Sequence, residues 1–403
     1  MNIKRFLAIF IIPIFVFGLK CISVSDTFSS ITESGVHEWN MLDKLSEKDE
    51  ELADVPVSIG SREISYYENR ISFVKTGKKS LIRKRFSDKE RIIGMKLLDI
   101  KTGEVRIITV RTKITSDGVR IVSPSGYRIE IIERPNGIRW NFWNTAYRVT
   151  VPKNMAVIKN NFPRKDSMNA TRGFLYVPYS DYFDQEKPKD ALLKAGKDYD
   201  KDVVAKAFSL LRERNVRSKA FPNKRVVDVE ALSPRFFERL VLLEQGDMTE
   251  FIIDSQKTTE RVLIILGANR ENAWIYTCNR AAACGWIQFT PRTYSYMRHC
   301  YPSACLPAHF KKAAGNHVNS IMAAILLHDN NLANLMKRRG RNIVNDPRLE
   351  EYLAASYNGS PRHVWNSLGS TSNRTDTDWT TRLKPETLGF IFKLRYLIRN
   401  ELP

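Results

Sequence analysis

Histidine and cysteine, the usual ligands of transition metals, are scarce in this chain. Its 403 residues include only six histidines, and their positions show no spacing typical of a metal site. These histidines are His37, His299, His309, His317, His328 and His363. We therefore predict core or surface roles for them, and neither a metal nor a cofactor.

Acidic residues are also in short supply. The chain has 64 Lys and Arg against 44 Asp and Glu, which gives a net charge of +20. Basic clusters lie at Lys75–Arg85 and Lys337–Arg341. Such an excess indicates nucleic acid, an anionic membrane surface or an anionic polymer as a partner, and the alternative is that each cluster is only a solvated face.

The N-terminus carries a basic start and a long apolar run. Lys4 and Arg5 precede the run Phe6–Leu19, and small residues follow it, which predicts a secretory signal over residues 1–25. Export argues against a nucleic-acid partner, and an uncleaved segment would tether the protein to a membrane. We expect no lipid on Cys21, because Lys20 stands where a small residue is needed. The polar residues 26–54 predict a flexible tether.

Four cysteines remain once the signal is removed: Cys278, Cys284, Cys300 and Cys305. An even, clustered set in an exported protein favours two disulfides, and four cysteines allow three pairings. We favour Cys278 with Cys284 and Cys300 with Cys305. A zinc site is the alternative, but gaps of five and four residues between neighbours differ from the usual two-residue knuckle.

Two regions with different patterns follow. Short runs rich in Ile, Val and aromatics, separated by turn residues, predict an all-β domain over residues 55–180. A charged helical linker is expected over 181–232, and helices continue to residue 403. The predicted helices span 188–216, 234–245, 258–271, 317–336, 347–357 and 385–400. The fold class is therefore α+β, with an N-terminal β-domain before an α-helical domain.

The end of one apolar helix is a candidate position for an acid. Val262–Leu266 is wholly apolar and leads to Glu271. A carboxyl at such a helix end would lie against hydrocarbon, which raises its pKa and suits proton donation to a glycosidic oxygen. A surface glutamate in a last helical turn is the alternative. Glu244 competes with Glu271, since it also ends an apolar helix.

Residues 233–403 resemble the lytic transglycosylase domain of the soluble (SLT) type, a relative of goose-type lysozyme. That family has a Glu-Ser pair closing a helix, a Gly-Leu-Met-Gln-like stretch before Pro-x-Thr, an Ala-Tyr-Asn segment and a late Glu-Thr helix start. The matching segments here, in the same order, are Glu271-Asn272, Gly285–Gln288 with Pro291–Thr293, Ala354–Pro361 and Pro385–Thr387.

The resemblance implies a lysozyme-like domain that cleaves peptidoglycan glycan strands with one acid, Glu271, and leaves a 1,6-anhydro-muramoyl end. Gln288 would bind substrate, and Tyr357 would place a hydroxyl near the acid. Asn358 matches the motif but suits a turn better than a substrate contact. Glu386 would begin the final helix, with a substrate contact as its second role.

Two other activities and a location complete the expectations. A hydrolytic muramidase is one alternative; a non-catalytic wall-binding or assembly protein is the other, because Asn272 replaces the family's Ser. The function of the β-domain is not readable from its residues, so both substrate targeting and a protein partner stay open. The signal places the protein in the periplasm or cell envelope of a bacterium.

Overall fold

A computed structural model of the protein describes residues 40–68, 82–115, 118–132, 146–165, 168–279, 282–369 and 379–402. The predicted signal lies outside these ranges. A sheet region comes first in the chain and a helical region follows it. The mixed fold class and the order of its two parts are therefore confirmed.

The sheet region contains two sheets. Its strands are β1 (Ser58–Glu68), β2 (Ile82–Asp99), β3 (Val105–Thr115), β4 (Gly118–Val122), β5 (Arg128–Ile132), β6 (Ala146–Val151), β7 (Met155–Lys165), β8 (Thr171–Tyr176) and β9 (Tyr179–Ser180). The larger sheet has the order β4-β3-β2-β7-β8, with β1 also paired to β2, and all its pairings are antiparallel. The smaller sheet is β5-β6-β9, with β6 and β9 parallel.

Strand β7 lies within the range predicted to be all-β and is central to the larger sheet, although its own residues give a weak strand pattern. The polar pair Asn160-Asn161 and Pro163 interrupt its apolar pattern. Both asparagines are nevertheless buried, and the Asn161 side-chain amide donates to the carbonyls of Leu52 (3.0 Å) and Ala53 (3.1 Å). A buried amide is tolerated because it finds such partners, which residue periodicity does not reveal.

Residues 40–53 were expected to be part of a flexible tether, and this was wrong. They form the short helices α1 (Asn40–Ser46) and α2 (Asp49–Ala53), in which Leu45 and Leu52 are buried. Lys96 of β2 is fully buried and bonds the Asp49 carboxylate at 2.5 Å and the Leu45 carbonyl at 3.2 Å. A cation in the sheet therefore anchors the segment that the composition alone marked as unstructured.

The helical region begins directly after the sheets. Its helices are α3 (Glu186–Glu213), α4 (Pro234–Gln245), α5 (Met248–Ile253), α6 (Ser255–Asn269), α7 (Pro291–Cys300), α8 (Phe310–Ala314), α9 (His317–Arg339), α10 (Leu349–Asn358), α11 (Pro361–Gly369) and α12 (Pro385–Arg399). The six helices predicted from periodicity are all present, with small differences at their ends. In the described ranges no helix is long and apolar enough to cross a bilayer.

Helix α9 is the centre of this region, since Ile321 to Leu326 are all buried completely. Helix α3, which we expected in a linker, packs closely against α6. A Cβ on Gly196 would lie 2.2 Å from the Leu263 carbonyl oxygen, and one on Gly267 would lie 2.2 Å from that of Leu192. The two glycines allow the helix backbones to touch, so α3 belongs to the packed core.

The sheet and helical regions meet at the end of α6. The Asn269 side chain accepts from the Val177 amide at 2.7 Å and donates to the Val177 carbonyl at 3.0 Å, much as a strand would. Beyond it, the Tyr276 ring lies under the Arg164 guanidinium, 3.7 Å away. The end of α6 is therefore a structural joint between the two regions.

Candidate active site

Glu271 does not lie where the sequence predicted. Helix α6 ends at Asn269, and Arg270 turns the chain with a positive φ of 45°. Glu271 follows in a short 3-10 turn, Arg270–Asn272, and is exposed. The expectation of an acid against hydrocarbon was therefore wrong for this residue, because the bonds of Asn269 to Val177 stop the helix early and the turn directs Glu271 to solvent.

Glu244 has the environment that was expected of Glu271. It lies in the last turn of α4, whose preceding residues Leu240 to Leu243 are buried. The residue itself is half-buried at the end of this apolar helix. Burial raises the pKa of the Glu244 carboxyl; the charge of Lys393 lowers it, and that of Glu386 raises it further. A glutamic acid in this setting can hold a proton at neutral pH.

Tyr357 lies beside Glu244. It is in the last turn of α10, and its pKa is raised well above the ordinary value by burial and by the charge of Glu244. Its hydroxyl donates to the Ile287 carbonyl at 2.8 Å. The ring packs between aromatic neighbours at centroid distances of 6.0 Å to Phe289 and 5.6 Å to His328. The tyrosine is thus fixed in place with its hydroxyl at the Gly285–Gln288 segment.

The Gly285–Gln288 segment contacts both Tyr357 and Gln245, the residue next to Glu244. Gln245, the neighbour of Glu244, donates its side-chain amide to the Trp286 carbonyl at 2.5 Å. The Gln288 amide donates to the Gly285 carbonyl at 2.7 Å and is half-buried. Gly285 is required here, since its φ is +80° and a Cβ would lie 2.3 Å from the Ala314 carbonyl oxygen. The segment therefore adjoins Glu244 through Gln245.

Asn358 ends α10, and Glu386 lies in the first turn of α12. The Thr387 hydroxyl donates to the Asn358 side-chain oxygen at 2.9 Å, which ties the end of α10 to the start of α12. Glu386 is exposed in the first turn of α12, where a carboxylate suits the helix dipole. Its negative charge raises the pKa of the Glu244 carboxyl.

Lys393 was missed by the sequence analysis. It lies on α12 and is 6% exposed, and its ammonium donates to the carbonyls of Leu243 and Gly246. Phe390, Leu394 and Leu397 form the buried stripe of α12 at i, i+4 and i+7, and Lys393 occupies i+3 of that stripe. A charged residue on an apolar stripe was the signal that could have found it.

The cysteines follow the prediction only in part. Cys278 and Cys284 form a disulfide, and the backbone of Cys284 also pairs with that of Phe289. This links the loop after Glu271 to the residue that follows Gln288. Cys300 ends α7 with a free thiol, so the pairing of Cys300 with Cys305 was wrong.

Two buried histidines have structural partners. His317 stacks on Trp286 with centroids 4.2 Å apart, and its ring nitrogens contact the Tyr199 hydroxyl (3.0 Å) and the Ala273 carbonyl (2.8 Å). Burial lowers the pKa of His317 to about 4 and that of His328 to about 3. Among the described residues no group of three or more His, Cys, Asp or Glu could hold a metal ion.

Comparison of the chain with protein-family models, with curated proteins and with solved structures finds no match. The site must therefore be interpreted from its own geometry. A half-buried glutamate, a tyrosine hydroxyl fixed by the Ile287 carbonyl and an amide-bearing loop lie in one part of the helical region, and the charge of the exposed Glu386 acts on the glutamate. These groups can donate a proton to a leaving oxygen and hold a polar ligand by hydrogen bonds.

Proposed function

We propose that this protein is a lytic transglycosylase that cleaves the MurNAc-GlcNAc β-1,4 bond of peptidoglycan, with Glu244 in place of Glu271 as its acid and base. One observation carries the proposal: Glu244, Tyr357 and the Gly285–Gln288 segment lie together, although more than a hundred residues separate the first two. We further propose that the helical region has a lysozyme-like architecture.

The order of the sequence motifs supports this assignment. The matches at Gly285–Gln288, Ala354–Pro361 and Pro385–Thr387 are far apart in the sequence, yet hydrogen bonds join them: Tyr357 bonds Ile287, and Thr387 bonds Asn358. Only the first motif, Glu271-Asn272, is set aside, and Glu244 takes the place of Glu271 as the proposed acid. Using Glu244 inserts α5 and α6 between the acid and the Gly285–Gln288 segment, and this insertion contains the joint to the sheet region.

The proposed reaction needs neither water nor a cofactor. Glu244 donates its proton to the glycosidic oxygen as the bond from that oxygen to C1 of MurNAc breaks, and the substrate's N-acetyl group assists at C1. The Glu244 carboxylate then takes the proton of the 6-hydroxyl, and O6 bonds to C1. One proton leaves the acid and one returns, so the 1,6-anhydro product forms with the enzyme restored.

The other site residues have supporting roles in this proposal. Tyr357 holds the Ile287 carbonyl and presents its hydroxyl near the N-acetyl group. Gln288 offers its amide oxygen to the substrate, since its amide hydrogens bond Gly285. Asn358 keeps the end of α10 against Thr387 and shapes the cleft without touching the reacting atoms.

Hydrolysis is the second candidate, and Glu386 is the observation that favours it. An inverting glycosidase has a second carboxylate that activates water across the sugar from the acid. Glu386 is exposed at the mouth of the site and acts electrostatically on Glu244. If Glu386 served as that base, the products would carry reducing ends.

Location and partners are part of the same proposal. A peptidoglycan substrate requires an exported enzyme in the cell envelope, which agrees with the basic and apolar start of the sequence. We propose glycan strands as the partner of the helical region. The sheet region would hold the enzyme on the wall or on another envelope protein.

Product analysis tests the reaction class. Purified sacculi are digested with the wild-type protein, and the released fragments are analysed by mass spectrometry. The proposal expects 1,6-anhydro ends, which are lighter than reducing ends by one water. Reducing ends would establish the muramidase alternative, and intact sacculi that retain bound protein would establish a non-catalytic wall-binding protein.

A further inference from the structure

Lys393 is an unusual residue for its position. Helix α12 buries Phe390, Leu394 and Leu397, and Lys393 lies among them with 6% of its surface exposed. Burying an ammonium group is costly unless it gains hydrogen bonds and an opposite charge. An apolar residue would fill this place at lower cost, so the lysine requires a reason beyond packing.

Its hydrogen bonds give the first part of that reason. The Lys393 ammonium donates to the Leu243 carbonyl and, at 2.9 Å, to the Gly246 carbonyl. The last carbonyls of a helix lack partners within the helix and favour a cation. Leu243 and Gly246 lie on either side of Glu244-Gln245 in the sequence. The lysine therefore fixes both ends of the turn that carries the acid.

The charges around Glu244 give the second part. Lys393 and Glu386 come from α12, Tyr357 comes from α10, and Asp247, the N-cap of α5, acts on Lys393. Lys393 is the cation of this group, and Glu386 and Asp247 are its other carboxylates.

We propose that Lys393 is a positioning residue for Glu244: it holds the turn that carries the acid and supplies the positive charge that faces the carboxylate left after proton donation. This inference rests on the proposed function. The negative charge of Glu386 opposes the positive charge of Lys393. Helix α12 therefore carries both charges that set how readily Glu244 gives up and regains its proton.

The two charges have opposite effects on the titration of Glu244. Burial raises the pKa of Glu244 and lowers that of Lys393, whereas the attraction between the two groups acts against both shifts. Removing the Lys393 charge leaves burial unopposed and raises the pKa of Glu244 further. Removing the Glu386 charge lowers it.

The test compares two variants whose effects should differ in sign. The pH dependence of kcat/KM is measured on solubilised glycan strands for the wild type, Lys393→Met and Glu386→Gln. The alkaline limb reports loss of the protonated acid. It should move up by about one pH unit in Lys393→Met. It should move down by a few tenths in Glu386→Gln, because that carboxylate is exposed and screened.

A purely structural lysine would behave differently. Lys393→Met would then lower the melting temperature and the rate, while the alkaline limb stayed at its wild-type pH, and that result would overturn the inference. Lys393→Arg is the control that keeps the charge; its limb should stay near that of the wild type. Movement of the limb in the same direction in Lys393→Met and Glu386→Gln would also contradict the inference.

A direct titration separates this inference from the proposed function. The Glu244 carboxyl is followed by NMR in protein labelled with 13C-glutamate, and its signal is assigned by its loss in Glu244→Gln. If the wild type leaves sacculi intact, the proposed function fails, but the inference still stands or falls on whether Lys393→Met moves this titration to higher pH. If Lys393→Met does not fold, the titration of Glu244 is measured in Glu386→Gln instead. A shift to lower pH in that variant supports the inference, and no shift contradicts it.

Discussion

The ends of α4 and α6 look alike in the sequence and differ in the folded chain. Each is an apolar helix with a glutamate at or just beyond its C-terminus. Around Glu244 the neighbours are a lysine, a tyrosine and an amide-bearing loop, all from distant parts of the chain. Beyond α6, Glu271 faces solvent, and the helix itself is tied to α3 and to the sheet region.

This difference shows what decides whether a carboxyl at a helix end is buried. The apolar residues before the glutamate make the helix pack in the core, but they do not bury the glutamate side chain at its end. Burial of the carboxyl depends on which elements meet the helix end, and these are set by the tertiary fold. We therefore assign chemistry to the end of α4 and packing to the end of α6, and the following predictions test that division.

The largest expected effect is on the packing of α6. Gly267→Ala would place a methyl group 2.2 Å from the Leu192 carbonyl oxygen, so α3 and α6 must separate. We expect a loss of about 3 kcal/mol in the free energy of unfolding, measured by urea denaturation. Gly369→Ala is the control, since a Cβ added there would have open space around it. Equal stability of the two variants would contradict the close packing.

Tyr357→Phe tests the chemistry at the other helix end. The change removes the hydroxyl that donates to the Ile287 carbonyl and faces Glu244. We expect a loss of about 10- to 100-fold in kcat with little change in melting temperature. Tyr352→Phe on the same helix is the matched control, because it removes a bond to Asp346 outside the site. Similar losses in both variants would mean that the hydroxyl only stabilises α10.

Asp200 gives a third case for the comparison, since it is a buried acid that does not belong to the candidate site. It lies on α3, is 1% exposed, and neither carboxyl oxygen has a hydrogen-bond partner in the described ranges. Burial raises its pKa, and the charge of Glu238 adds to this. The folded state therefore favours the protonated form, so stability is complete below the unfolded pKa of about 4 and falls as the pH rises.

Asp200→Asn should remove that pH-dependent loss. We expect the variant to be more stable than the wild type by about 1–2 kcal/mol at pH 8 and equal to it at pH 3 to 4. Thermal unfolding at both pH values measures the difference. A variant that is less stable than the wild type at pH 8 would mean that the carboxylate is ionised and bound in the folded chain.

Much of the fold could be predicted from the sequence, whereas the burial of the two candidate glutamates could not. Helical periodicity located α4 and α12 almost to the residue, and the motifs at Gln288 and Tyr357 identified residues that meet in space. Strand β7 has a weak pattern of its own because the buried Asn161 finds its partner far away in the sequence. The burial expected for Glu271 was wrong for the same reason, since the contacts of Asn269 with Val177 end α6 before the glutamate.

The central claim is that Glu244, and not Glu271, is the acid. It is tested most directly by the initial rates at which wild type, Glu244→Gln and Glu271→Gln release soluble fragments from purified sacculi, with folding checked by circular dichroism. The account predicts a loss of about 1,000-fold or more for Glu244→Gln and a rate within about twofold of wild type for Glu271→Gln. The opposite pattern, with Glu271→Gln inactive and Glu244→Gln active, would contradict it.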